Sequence, residues 1–132
     1  MQRHPVIRNN QGFSLLEAMV SILLLAVMML GALSGLIASY QATASNALRD
    51  EGVKLGQELV TLARNTPYTG LANGTTTATY NRQVTNATVT YTTQRTISDV
   101  IIGLVKSVKY DVSWSYKGLS FRYTATAIVG AT

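Results

Sequence analysis

Glu17 is the residue whose chemistry needs explaining first. It is the only charged side chain between Arg8 and Arg49, and it stands near the head of the apolar run of residues 12–38, GFSLLEAMVSILLLAVMMLGALSGLIA. A carboxylate in a lipid-like setting is costly unless a cation or donor meets it. Five positions before it is Gly12, followed by Phe13. An anion in a first helical turn is favoured by the helix dipole. The chemistry the lone acid implies is a charge pair with a cation that the apolar run itself does not supply. Losing one member of such a pair, once buried, costs about 3–5 kcal/mol because the other charge is stranded.

Other chemistry has little support. The chain has no cysteine, so a thiol nucleophile and a disulfide framework are excluded. Its one histidine, His4, precedes Gly12 and would be discarded with the leader. The usual nucleophile–base constellations are therefore missing after Gly12, and no enzyme activity, metal site or cofactor is expected. Asp99 and Asp111, the only acids beyond the helical part, read as turn and surface residues. Asn73-Gly74-Thr75 and Asn86-Ala87-Thr88 match a glycosylation sequon, a frequent chance pattern. Eleven basic against six acidic residues give +5 without any basic run, so nucleic acid is an unsupported partner.

These residues need elements to position them. Residues 1–12 are polar and basic, as in an export leader. Residues 18–38, as a helix, span about 31 Å, the depth of a bilayer core. Arg3 and Arg8 lie before the span, whereas Arg49, Lys54 and Arg64 after it are balanced by Asp50, Glu51 and Glu58. That bias places the N-terminus in the cytoplasm and the rest outside. Helical signal continues without proline to Arg64, with Leu48, Gly52, Leu55, Leu59 and Leu62 on one stripe. Asn65-Thr66-Pro67 ends it. One helix of about 50 residues, roughly 75 Å long, is predicted.

The remainder reads as β structure. Residues 68–79 are loop-like, and residues 88–96 have strand propensity. Val108, Tyr110, Val112, Trp114 and Tyr116 alternate with polar residues, Lys117-Gly118 is a tight turn, and Leu119, Phe121, Tyr123, Ala125 and Ala127 alternate again. The apolar face of this hairpin needs a cover, which the helical stripe supplies. Residues 97–105 are apolar but patternless, and strand and buried turn both stay open there.

The run Gly12-Phe13-Ser14-Leu15-Leu16-Glu17, followed by the apolar span, resembles the type IV pilin superfamily. The resemblance implies cleavage between Gly12 and Phe13 by prepilin peptidase, N-methylation of Phe13, and use of Glu17 as the assembly carboxylate paired with the Phe13 amine. It implies an α+β pilin fold: a long N-terminal helix, transmembrane in its first half, packed against a small C-terminal antiparallel sheet. The expected parts are a leader at 1–12, a membrane and filament-core helix at 13–39, its amphipathic continuation at 40–66, and a β-rich cap at 67–132. Expected partners are the peptidase, other pilins or pseudopilins, inner-membrane lipid and the assembly platform. The expected location is the bacterial inner membrane, cap in the periplasm, then a filament.

The tail from Gly103 through Trp114, Lys117-Gly118 and the strand up to Val129 is similar to the end of PilV-type minor pilins, with Tyr110 where the pattern has an aliphatic residue. A type II secretion pseudopilin shares the N-terminal chemistry and is the alternative. A tip subunit binding a surface or DNA through Arg82, Arg95, Lys106, Lys109 and Lys117 is a third reading. Gly31 and Gly35 have the spacing of close helix–helix approach, and tolerated small residues explain them equally well. Members of the superfamily often carry a helix-breaking proline in this region; here Gly31, Ser34 and Gly35 are the only weak points at which the helix could melt.

Overall fold

The computed structural model describes Gly12 and residues 14–131. Helix α1 (Leu15–Arg64) is followed by a 3-10 turn at Tyr68–Gly70 and four strands, β1 (Gly74–Val84), β2 (Ala87–Ile101), β3 (Val105–Tyr116) and β4 (Leu119–Gly130). The architecture is the expected α+β class. The chain divides between Tyr40 and Gln41 into two compact units.

The first unit holds the start of α1. Leucine, methionine and alanine dominate, and no proline interrupts. The large apolar side chains from Leu15 to Ile37 are exposed on every side of the helix. The Ser34 hydroxyl donates to the Leu30 carbonyl at 2.9 Å, which meets its need for a partner in apolar surroundings. Among the described residues, α1 is the one helix long and apolar enough to cross a membrane.

In the second unit the rest of α1 packs on an antiparallel meander of order β1-β2-β3-β4. Lys117 and Gly118 take positive φ (51° and 78°), as a tight hairpin turn requires. The opposite hairpin turns through Thr85, whose φ of 56° is unusual for a β-branched residue. Between β2 and β3 the register skips Val100, since Asp99 faces Lys106 and Ile101 faces Val105, and Gly103 (φ 76°) closes the turn.

The core lies between one face of α1 and one face of the sheet. Leu48, Leu55, Leu59, Val60 and Ala63 meet Tyr91, Ile97, Val108, Tyr110, Val112, Trp114 and Ala127. Two glycines set the approach. A Cβ at Gly52 would stand 2.7 Å from Trp114, and one at Gly56 would stand 2.7 Å from Tyr123. The bare helix surface is therefore where the two large rings rest. Trp114 also packs between Tyr91 and Phe121, with centroids at 5.6 and 5.9 Å. The Tyr91 hydroxyl donates to the Leu48 carbonyl at 2.8 Å. Burial, and secondarily the Glu51 carboxylate, hold the Tyr91 phenol above its ordinary pKa. At the β1 edge, Arg82 bridges back to Glu58 at 2.5 Å and Glu51 at 3.8 Å.

Helix α1 stops where its last carbonyls find substitutes. Asn65 N–H donates to Thr61, Thr66 N–H to Ala63, and the Thr66 hydroxyl to the Leu62 carbonyl. Pro67 follows, as the sequence predicts.

Four departures have physical causes. Leu62 is 62% exposed, so the buried stripe ends instead on Val60 and Ala63. The 3.6-residue turn rotates a strict 4-3-4-3 series off the contact line, and Gly56 draws the contact toward Val60 and Ala63. Residues 75–79 are strand rather than loop. The N-terminal half of β1 is exposed on both faces, so no alternation marked it. Leu119 is exposed because it adjoins the turn. Residues 97–101 are strand, and Ile102, 89% exposed, tops an open hairpin tip rather than a buried turn.

The glycine contacts make a test whose sign is informative. In an exposed helix, Gly→Ala stabilises by about 1 kcal/mol. At Gly52 and Gly56 the added methyl must displace a packed ring, at a cost of about 1–3 kcal/mol. Each substitution, Gly52→Ala and Gly56→Ala, is expected to lower the thermal unfolding midpoint read by circular dichroism. An unchanged or raised midpoint would refute the close-approach account.

Candidate functional site

The start of α1 is built by Ser14. Its carbonyl accepts the first helical bond from Ala18 N–H at 3.1 Å, and its hydroxyl oxygen accepts the Leu16 N–H at 3.2 Å. Ser14 is thus the N-cap, and Glu17 falls at the third helical position, the Ser-x-x-Glu spacing of a capping box. The carboxylate is held in the first turn, where the aligned N–H groups favour an anion. Sequence reasoning singled out Glu17 and missed Ser14. The signal was the three-residue interval between them.

Glu17 is exposed and, among the described residues, makes no ion pair. The expected pairing with the Phe13 amine, like cleavage and methylation at that residue, falls on Phe13, which lies outside the described residues. Gly12 is exposed, and nothing lies within 4 Å of where its Cβ would stand. No packing within the chain requires a glycine there.

Gly31 and Gly35 lie one turn apart on one face, and both positions are open. α1 runs through them without a break. Nearby, Met29, Ala32, Leu33 and Leu36 border a shallow apolar hollow of about 350 Å³. Their i, i+3, i+4, i+7 spacing is that of the hole which receives a knob from a facing helix.

The five basic residues read as a surface-binding set do not converge. Arg82 is paired with Glu51 and Glu58. Lys106 donates to the Leu71 carbonyl and lies over the Tyr68 ring. Lys109 pairs with Asp111 at 3.1 Å on the opposite sheet face. Lys117 covers Tyr116 at the β3–β4 turn, and Arg95 borders the gap between α1 and β1. Asp111, chiefly through the Thr124 hydroxyl bond and then Lys109, is held below the usual carboxylate pKa. Among the described residues, no group of three or more acidic or histidine side chains is placed to hold a metal.

Residues 7–33 match the family described as Prokaryotic N-terminal methylation motif. The chain matches no curated protein and no solved structure.

The cap on α1 is testable on its own. Ser14→Ala removes the acceptor for Leu16 N–H and is expected to cost the first turn about 1 kcal/mol. Hydrogen exchange of the full chain in detergent micelles should show faster exchange confined to the amides of Leu16 and its neighbours. Unchanged exchange there would show that Ser14 does not cap the helix.

Proposed function

We propose that this chain, whose residues 7–33 carry the N-terminal methylation motif of the type IV pilin superfamily, is a minor pilin. The coarser statement, a pilin-like or pseudopilin structural subunit, rests on that motif directly. The motif joined to a long, uncovered apolar helix is the observation that carries the reading.

In this reading prepilin peptidase cuts between Gly12 and Phe13, and the new Phe13 amine is methylated. The basic leader keeps the N-terminus cytoplasmic, and the unit from Gln41 onward faces the periplasm. Residues 13–39 first lie in inner-membrane lipid. They then exchange lipid for the helices of other subunits as the assembly platform draws the chain into a hetero-oligomeric filament. Both surroundings are apolar, so the exchange asks little of the leucines and methionines. It asks much of Glu17, because a bare carboxylate among packed helices needs a cation. The Phe13 amine of its own or an adjacent subunit is that cation. Gly31 and Gly35, and the hollow beside Ala32, are the places where neighbouring helices approach most closely.

The same motif supports a pseudopilin of a type II secretion system, and the genes adjoining the chain's own separate the two. The basic residues, spread over separate faces and mostly engaged, give the DNA-binding tip reading no site.

Two outcomes are expected. Mass spectrometry of filament-enriched material should find a chain that begins at Phe13 and is heavier by one methyl group. A chain still beginning at Met1, with the peptidase present, would overturn the assignment. Glu17→Val should be cleaved normally yet be lost from filaments by about tenfold or more, given the cost of an unpaired buried charge. Undiminished incorporation, measured by immunoblot of sheared filaments, would remove the charge-pair role.

A further inference from the structure

The sheet is not continuous from end to end. Pairing between β2 and β3 stops at Thr92 and Ser113. Beyond that rung, residues 87–91 stay with β1 and residues 114–116 stay with β4. The two hairpins part and leave a cleft of about 500 Å³ between them. Its walls carry the hydroxyls of Thr88, Thr90, Thr92, Ser113, Ser115 and Ser120, with Val89 and Trp114 also bordering it. The last rung is closed by a side chain, since the Ser113 hydroxyl donates to the Thr92 carbonyl at 3.1 Å.

From the parting of the strands we infer that this cleft binds an extended, uncharged peptide segment of a partner protein by strand addition. Three observations select that ligand. Among the described residues, no charged side chain borders the cleft, which disfavours an ionic ligand. Both walls present strand backbone that lacks a partner on the cleft side, and an extended main chain is what such an edge recognises. The longer wall, residues 87–91, is about 17 Å long, room for about five residues in extended form. A neutral saccharide would also suit the hydroxyls, but it would need an aromatic face to stack on. Trp114 is only 5% exposed, with Tyr91 and Phe121 packed against it, so it offers none. Small hydroxyl side chains keep the walls narrow and wet, which suits a segment of threonine, serine and valine. The inference does not depend on filament membership.

The full chain in detergent micelles tests it, with acetyl-Thr-Val-Thr-Val-Thr-amide as the probe and backbone amide exchange as the readout. At saturation the cleft-facing amides of Thr88, Thr90 and Ser115 are expected to slow by about tenfold or more, whereas the alternate amides of these strands already donate to β1 or β4. Amides of the core rungs, already paired, should not change. The same peptide N-methylated at every residue lacks the internal N–H donors of a strand on both edges and should leave all of them unaltered. Thr90→Lys, which fills the cleft from an exposed position, should weaken binding by about tenfold or more, whereas Thr77→Lys on the same sheet face should not. Near-ultraviolet dichroism of Trp114 confirms that each variant is folded. The proposal is overturned if these amides do not respond to the peptide. Equal protection by the N-methylated peptide, or a response to maltotriose in place of the peptide, would overturn it too.

Discussion

A four-stranded sheet with one apolar face cannot bury that face alone, and among the described residues its main cover is a strip of α1, with Leu71 from the turn beyond it. The unit from Gln41 onward therefore depends on the contact between Leu48, Leu55, Leu59 and Ala63 and the inner strand residues. The strip is narrow and partly bare. Gly52 and Gly56 contribute no side chains, so the bulk is supplied from the sheet by Trp114 and Tyr123. Where the helix gives nothing, the strands give their largest rings. This division explains why aromatic residues crowd the inward faces of β2, β3 and β4 while the outward faces are mostly threonine, serine and charged residues.

The same helix meets a different demand before Tyr40. There, among the described residues, no face of α1 is covered and its large apolar side chains are exposed on every side. Uniform apolarity makes the surroundings interchangeable. The exceptions to that uniformity are a carboxylate at Glu17, in the first turn behind the Ser14 cap, and small residues at Gly31, Ala32 and Gly35. A polar group in such a segment must find a partner, and Ser34 shows the local solution, a bond back to the preceding turn. Glu17 makes no ion pair among the described residues, so in the proposed reading its partner is a charge outside them.

The pairing within the sheet is uneven from end to end. Its middle is held by continuous ladders, while at one end the two hairpins part after Thr92 and Ser113. Each hairpin keeps its own register through a two-residue turn. The rung that would join them is the one sacrificed. The opposite end, around Ile102, stays joined through a bulge and a glycine turn. One end of the unit is thus open and lined with hydroxyls, and the other is closed and apolar.

Much of this was legible in the sequence because the signals are local. The Gly12–Phe13–Glu17 spacing, the length of the apolar run, the stop at Pro67 and the Lys117-Gly118 hairpin each depend on a few neighbouring residues. Their energies are set by backbone geometry and solvent, so they read the same in any fold. The strand nature of residues 75–79 was hidden because an edge strand exposed on both faces carries no alternation. The choice of Val60 and Ala63 over Leu62 was decided by the sheet, which settled on the line where two glycines let it come closest. The cleft between the hairpins has no sequence signature at all, since Thr88, Thr90 and Thr92 read identically in a paired and an unpaired strand. Local patterns determined which elements form and which family motif the N-terminal residues match. Only the tertiary packing decided which helix face is buried and where the sheet opens, because those depend on contacts between residues far apart in the chain.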